Sequence, residues 1–267
     1  MASSLNTYLL GLASSYFISH GSTERNQIIS SIVTLKSRLN SYFGKDVKAV
    51  KIFGSWDRDT TLPRKYDFYS DVDIMIIFDH ENLNKTAETY RTWLKTFAEQ
   101  KYSSSIVQKD FPTIRLDMNH ITFDLIPTRV TNILNIIEIH YIPDSGNNWM
   151  TTEPFTFTQK VKDKHSEKNY IVKPVLRLIK AWNIQAEYPF DSYLLEKEIL
   201  EKTPWFWHNS VEPAFYAACN ILCTYSGTIT QNTKVQTLQN AIGKVVSYLD
   251  IGDISTAKYW LHKVLPR

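Results

Sequence analysis

Apolar residues recur at Ile28, Ile32, Leu35, Leu39 and Phe43, spacings of three and four that place them on one face of a helix. Capping-type residues in the run Ser-Thr-Glu-Arg set its start near Thr23, and Gly44 sets its end. A shorter apolar stretch around Tyr8 and Leu12 reads as a first helix. No Lys or Arg precedes Arg25, so this stretch lacks the charged region of a secretory signal. Residues 47–53 are β-branched and aromatic and stop at Gly54-Ser55, as a strand feeding a tight turn does. Residues 57–70 carry Pro63, several charges and Tyr66, Phe68 and Tyr69, and read as a surface loop. Residues 71–78 then form a nearly continuous apolar run behind two aspartates, the pattern of a strand covered on both faces in the middle of a sheet. A helix is expected over 84–100, with Ala87, Tyr90, Leu94, Phe97 and Ala98 as its stripe. Strands are expected at 113–118 and 121–126, joined by the hairpin signal Asn119-His120, with Pro127 closing the second.

Beyond Trp149 strand patterns give way to helical periods at 173–182, 192–200, 213–225, 233–249 and 256–265. No repeat, low-complexity tract or Gly/Ser-rich linker separates the halves. We therefore expect a lobe over 1–150 and a helical lobe over 151–267, packed together.

Composition narrows the function classes. The 267 residues are 43% hydrophobic and 21% charged, a composition that folds. The net charge of +3 is too small to draw nucleic acid by bulk electrostatics, so an anionic partner must be met locally. No apolar run approaches the roughly 18 residues of a membrane span. The two cysteines, Cys219 and Cys223, have helical spacing and no second ligand pair, which favours core over zinc or a disulfide framework and fits a reducing, cytoplasmic setting. Trp205, Phe206, Trp207 and His208 form an aromatic cluster that reads first as a packed junction.

Three aspartates stand out. Strand side chains alternate, so Asp71 and Asp73 project from one side a few ångström apart, where two anions repel unless solvent or a divalent cation relieves them. Mg²⁺ favours such hard oxygen ligands. Asp124 sits inside an apolar run, where a lone carboxylate is expensive to bury. Taken singly, each aspartate reads better as something plainer: Asp71 as a helix or turn cap, Asp73 as a solvated edge residue, Asp124 as an outward-pointing residue of a marginal strand. Together, on adjacent strands, they would form a site for two metal ions and in-line phosphoryl displacement. Gly54-Ser55, ahead of them, would let a phosphate approach the backbone.

The runs Phe53-Gly-Ser-Trp-Asp-Arg-Asp-Thr-Thr-Leu-Pro63, Ser70-Asp-Val-Asp-Ile-Met-Ile-Ile-Phe78 and Thr122-Phe-Asp-Leu-Ile-Pro127 resemble those of the polymerase-β-like nucleotidyltransferases. Within them the chain looks closest to the bacterial cGAS/DncV-like enzymes (CD-NTases), relatives of oligoadenylate synthase. Leu178-Ile-Lys-Ala-Trp-Asn183 and Ser192-Tyr-Leu-Leu-Glu196 resemble that family's helical lobe. The resemblance runs from about residue 30 to 200. It implies an α+β fold, a mixed sheet with helices packed against a C-terminal helical lobe. It also implies Mg²⁺-dependent transfer of a nucleotidyl group from a nucleoside triphosphate to a hydroxyl, with Mn²⁺ as the substitute ion. By the same resemblance, Asp71 and Asp73 bridge two ions, and Asp124 binds the catalytic ion and draws the proton from the attacking hydroxyl. Gly54 and Ser55 hold the β- and γ-phosphates, Lys180 and Ser192 touch the triphosphate, and Tyr193 stacks on the donor base. For Lys180 there is independent support: it shares a helical face with Lys173 and Arg177.

The leading expectation is synthesis of cyclic or linear oligonucleotide second messengers that act on a downstream effector in bacterial antiphage defence, with a nucleic acid as product or activator. A second enzyme reading moves the acceptor to a protein hydroxyl, such as Tyr248 or Tyr259 of the same chain, or to a small molecule. The third is an inactive nucleotide-binding module.

Overall fold

The computed structural model describes residues 4–133, 137–145, 148–222 and 227–267. In chain order it contains α1 (Asn6–Ser15), α2 (Thr23–Phe43), β1 (Val47–Phe53), α3 (Gly54–Asp57), β2 (Asp71–Phe78), α4 (His80–Leu83), α5 (Ala87–Lys101), β3 (Ile106–Asp110), β4 (Thr113–Asp117) and β5 (Thr122–Ile133). There follow β6 (Ile137–Pro143), β7 (Trp149–Thr152), α6 (Pro154–Glu167), α7 (Val172–Gln185), α8 (Ser192–Lys202), α9 (Val211–Ile221), α10 (Ile229–Asp250) and α11 (Ile254–Leu261). The fold class is α+β with a mixed sheet. Among the described residues no helix is long and apolar enough to cross a membrane.

The chain divides into two compact units. One comprises Ser19–Arg58 and Tyr69–Thr158, the other Met1–Ile18, Asp59–Phe68 and Gln159–Arg267. The expected boundary at residue 150 thus moves to within α6, and two earlier pieces join the helical unit. For the first piece the reason is packing: Leu5, Leu9 and Ala13 of α1 are buried, and α1 lies against α7 and α9.

In the sheet unit the strand order is β1-β2-β5-β4-β3, with β2 and β5 parallel and the other pairs antiparallel. Asp71–Phe78 is a central strand, flanked by β1 and β5. Phe78 stacks on Tyr90 of α5 and meets Phe43 of α2 edge-on. By the period of two, α2 and α5 therefore cover the face that carries Val72, Ile74 and Ile76. Asp71 and Asp73 take the other face.

Several boundaries differ from the sequence reading. Pro127 does not end its strand. β4 pairing stops at Leu125, so Pro127 has β2 as its neighbour and its missing N–H interrupts no second ladder. The strand continues through Arg129–Ile133 to pair with β6, which pairs with β7. The helix expected over 84–100 starts at Ala87, because Asn84 is a left-handed cap (φ 45°) closing α4 and Thr86 caps α5 through its hydroxyl. The expected helix over 213–225 ends at Ile221. Residues 223–225, with Cys223, lie outside the described residues. Cys219 is a buried free thiol.

The helical unit is built around α7, whose residues from Pro174 to Asn183 are all buried. Arg177 is among them, which explains why burial pushes its guanidinium down to about 10 despite the neighbouring Asp59. Trp205 is also buried, donating its indole N–H to the carbonyl of Leu200 at 2.9 Å. Phe206 and Trp207 are instead exposed, so the aromatic cluster is only partly a packed junction.

Candidate active site

The parallel register of β2 and β5 sets Asp73 beside Asp124 and Asp71 beside Thr122. Paired residues on neighbouring strands point the same way, so all three carboxylates rise from one face of the sheet. Strand spacing of about 4.8 Å and a rise of about 3.3 Å per residue keep their Cα atoms within roughly 8 Å of one another. All three side chains are half-buried. At about 5 Å and an effective dielectric of about 20, the ionised pair Asp73 and Asp124 repels by about 3 kcal/mol, with Asp71 adding a smaller share from farther off, a standing demand for positive charge. One oxygen of Asp124, Oδ1, is buried and receives no hydrogen bond, though the residue has other interactions.

On its other side Asp124 faces Arg115, its antiparallel partner on β4, which rises from the same face. The sequence reading missed Arg115. Its signal was available in the alternation of Ile114, Arg115 and Leu116 once the hairpin register was known. Thr122, beside Asp71, donates its hydroxyl to Asp117 at 2.7 Å, closing the mouth of the hairpin.

β1 delivers the turn. Phe53 pairs with Asp73, and the next residue, Gly54, has φ +73°. A Cβ at Gly54 would lie 1.8 Å from Oδ2 of Asp73 and 3.1 Å from its Cβ. Only glycine allows the backbone this near the carboxylate. Ser55 follows, half-buried, then Trp56, which is buried with the Arg25 guanidinium 5.0 Å above its ring. Arg58 ends α3 by donating its amide to the Gly54 carbonyl at 3.3 Å.

The donor chemistry fits a hard divalent cation: three carboxylates on one face, with a glycine backbone packed against one of them. In the side-chain conformations of the structure, no group of three His, Cys, Asp or Glu among the described residues is drawn together tightly enough to hold an ion.

The remaining expected residues lie in the helical unit. Lys180 is buried, its ammonium 2.9 Å from Glu196. Ser192 is the first residue of α8, behind the cap Asp191, which accepts the amide of Leu194 at 2.8 Å. Tyr193 is exposed. Lys173 and Arg177, read as a basic stripe with Lys180, are committed within this unit: Lys173 to Asp59 at 2.9 Å, Arg177 to the carbonyls of Ala13 and Asp59 at 2.9 and 3.0 Å. Of the two tyrosines considered as acceptors, Tyr259 is exposed and Tyr248 half-buried.

Comparison with known proteins places this geometry. A curated relative, a probable cyclic nucleotide synthase of Bacillus cereus (strain VD146), is 24% identical over 202 residues, 62% of this chain. The matched part spans 59% of that relative's length. Among solved structures, the chain resembles CdnC of E. coli MS115-1 with ATP (TM-score 0.68, 11% identity, 97% of this chain and 96% of that one). It also resembles the CD-NTase CdnG of Bradyrhizobium diazoefficiens with GTP (TM-score 0.69, 13% identity, 97% and 98%). A third is Vibrio cholerae DncV cyclic AMP-GMP synthase with a linear intermediate (TM-score 0.66, 10% identity, 82% and 68%). At these identities the likenesses show the fold. The model of the Second Messenger Oligonucleotide or Dinucleotide Synthetase domain matches residues 4–165, which include the Gly-Ser turn and all three aspartates, and the chain belongs to that family, within the cGAS/DncV-like nucleotidyltransferase fold.

Proposed function

We propose that this chain is a nucleotidyltransferase that joins nucleoside triphosphates into cyclic or linear oligonucleotides. The observation that carries the reading is the register of Asp73 with Asp124, with Gly54 packed against Asp73. Asp71, Asp73 and Asp124 would hold two Mg²⁺ ions, or Mn²⁺ in their place. When bound, these would supply the positive charge that stabilises the departing pyrophosphate and acidifies the attacking hydroxyl. Gly54 and Ser55 hold the β- and γ-phosphates at the turn, where the glycine lets them reach backbone N–H groups. Asp124 takes the proton of the attacking hydroxyl. Lys180, Ser192 and Tyr193 contribute triphosphate and base contacts from the helical unit; for Lys180 this requires its ammonium to share or exchange Glu196. We place the enzyme in the cytoplasm, making a signal read by an effector in antiphage defence.

The test is mass spectrometry of products from a mixture of all ribo- and deoxyribonucleoside triphosphates with Mg²⁺ or Mn²⁺. Wild type should release pyrophosphate and form short oligonucleotides, and Asp73→Asn should lower turnover by about 10³-fold or more while melting close to wild type. Absence of product from wild type with either ion refutes the proposal. Label retained on the protein moves the acceptor to a side chain.

A further inference from the structure

Between the Gly-Ser turn and Asp71 the chain leaves the sheet unit. Asp59–Phe68 belongs to the helical unit, and the way it is held there is unusual for a loop. Its first four residues are tied down by charged groups or buried. Asp59 receives Lys173 on its carboxylate at 2.9 Å and Arg177 on its carbonyl at 3.0 Å. Arg177 is itself buried and donates also to Ala13 of α1. Thr60, fully buried, donates its hydroxyl at 2.9 Å to Oε1 of Glu196, the same oxygen that meets Lys180. Thr61 and Leu62 are buried beside them. The far end is held more lightly, by Tyr66 to Ser15 at 3.2 Å and Tyr188 to Asp67 at 2.7 Å.

Two features of this anchor are poor choices for stability alone. Buried ion pairs such as Lys180–Glu196 lose in desolvation much of what they gain by attraction, and an apolar pair of the same volume often does better. Asp59 is also held at φ +57°, a conformation that costs a non-glycine residue energy and persists only where surrounding contacts over-determine it. Both features lie close along the chain to one functional element. A single residue, Arg58, separates Asp59 from the end of the helical turn Gly54–Asp57.

Resting on the nucleotidyltransferase reading, we propose that Asp59 and Thr60 are positioning residues for the phosphate-holding turn. Lys173, Arg177 and Glu196 fix the backbone two and three residues beyond α3. The turn therefore keeps its place when a triphosphate draws on its N–H groups. Neither Asp59 nor Thr60 touches the reacting atoms. Because the turn grips the β- and γ-phosphates in the bound state and the transition state alike, a loose anchor weakens uniform binding, which appears in KM and not in kcat.

The test compares Thr60→Val, which keeps the volume and removes the donor, with Thr60→Ser, which keeps the donor. Two measurements are made: steady-state kinetics with ATP and Mg²⁺, and limited trypsin cleavage at Arg64 and Lys65 under native conditions. Thr60→Val should raise KM about tenfold with kcat within about threefold of wild type, and trypsin should cut the segment several-fold faster. Thr60→Ser should match wild type within about twofold in both. Should Thr60→Val melt far below wild type, Asp59→Asn carries the test. It loses the Lys173 charge pair, tolerates the left-handed backbone, and should give the same rise in KM. Unchanged KM in a well-folded Thr60→Val, or a loss confined to kcat, overturns the positioning role while the enzyme reading stands. A wild type that forms no product overturns both, and the trypsin result then reports the anchoring separately.

Discussion

Gly54→Ala puts a single methyl group where the structure has no room for one. Two costs are independent. The backbone at φ +73° is disfavoured for any L residue with a Cβ, by about 1–2 kcal/mol. The new Cβ would also lie 1.8 Å from Oδ2, 2.8 Å from Cγ and 3.1 Å from Cβ of Asp73. The 3.1 Å approach to Cβ needs only a few tenths of an ångström of give, so the overpacking cost of about 1–3 kcal/mol falls mainly on the Asp73 carboxylate, which must be driven out of its place. The sum, about 2–5 kcal/mol, is a sizeable share of a domain's whole stability. It should lower Tm by roughly 5–15 °C at the usual sensitivity of a chain near this size. Turnover should fall further than stability does, since Asp73 is turned out of the carboxylate group. The decisive assay is a double-mutant cycle in denaturant unfolding. In an Asp73→Ala background the oxygen and Cγ are gone, so Gly54→Ala should pay only the backbone cost and the residual 3.1 Å contact. The two changes should then be coupled by about 1–3 kcal/mol. Additive effects, or a Gly54→Ala protein that melts within a degree of wild type and turns over normally, would refute the close approach of the turn to Asp73.

Glu196→Ala should leave the Lys180 ammonium buried without its carboxylate and cost about 3–5 kcal/mol in urea unfolding, whereas Lys180→Met with Glu196→Leu together should cost far less; equal losses would refute the burial argument. His165 is held at about 4, below its ordinary 6.5, first by burial and then by Lys173 and Arg177, while its Nδ1 accepts the Lys173 amide at 3.2 Å. Its neutral form therefore contributes stability fully above about pH 6.5, and this is lost as pH falls from 6.5 to 4, because the unfolded chain takes up the proton first. The loss amounts to at most about 3 kcal/mol. Unfolding free energies across that window should slope less steeply in His165→Asn than in wild type, and identical slopes would show that His165 is not the group responsible.

The carboxylates were legible in the sequence because two simple rules act on them. A period of two puts Asp71 and Asp73 on one side, and an aspartate amid Phe123, Leu125 and Ile126 demands an explanation. The hairpin at Asn119-His120 was legible from turn chemistry and fixed which strands neighbour Asp124. What stayed hidden depends on partners distant in sequence. Thr60 and Glu196 are 136 positions apart, and nothing local to either announces the other. The left-handed Asp59 carries no glycine to betray it. Lys180 was placed correctly on a helical face beside Lys173 and Arg177, but the acidic partners that neutralise that face come from α8 and from Asp59. Strands β3 and β7 are short runs whose pairing, not pattern, makes them strands, whereas the alternation Ile137-Glu-Ile-His-Tyr141 of β6 was readable and was missed.

Because the backbone passes from one compact unit to the other after residues 18, 58, 68 and 158, no single cut yields two self-sufficient fragments. A truncation after Thr158 would carry away α1 and the Asp59–Phe68 segment with the wrong half, and leave the helical remainder with exposed apolar seats for both. An engineer wishing to graft a different helical portion must therefore transplant three separate stretches at once.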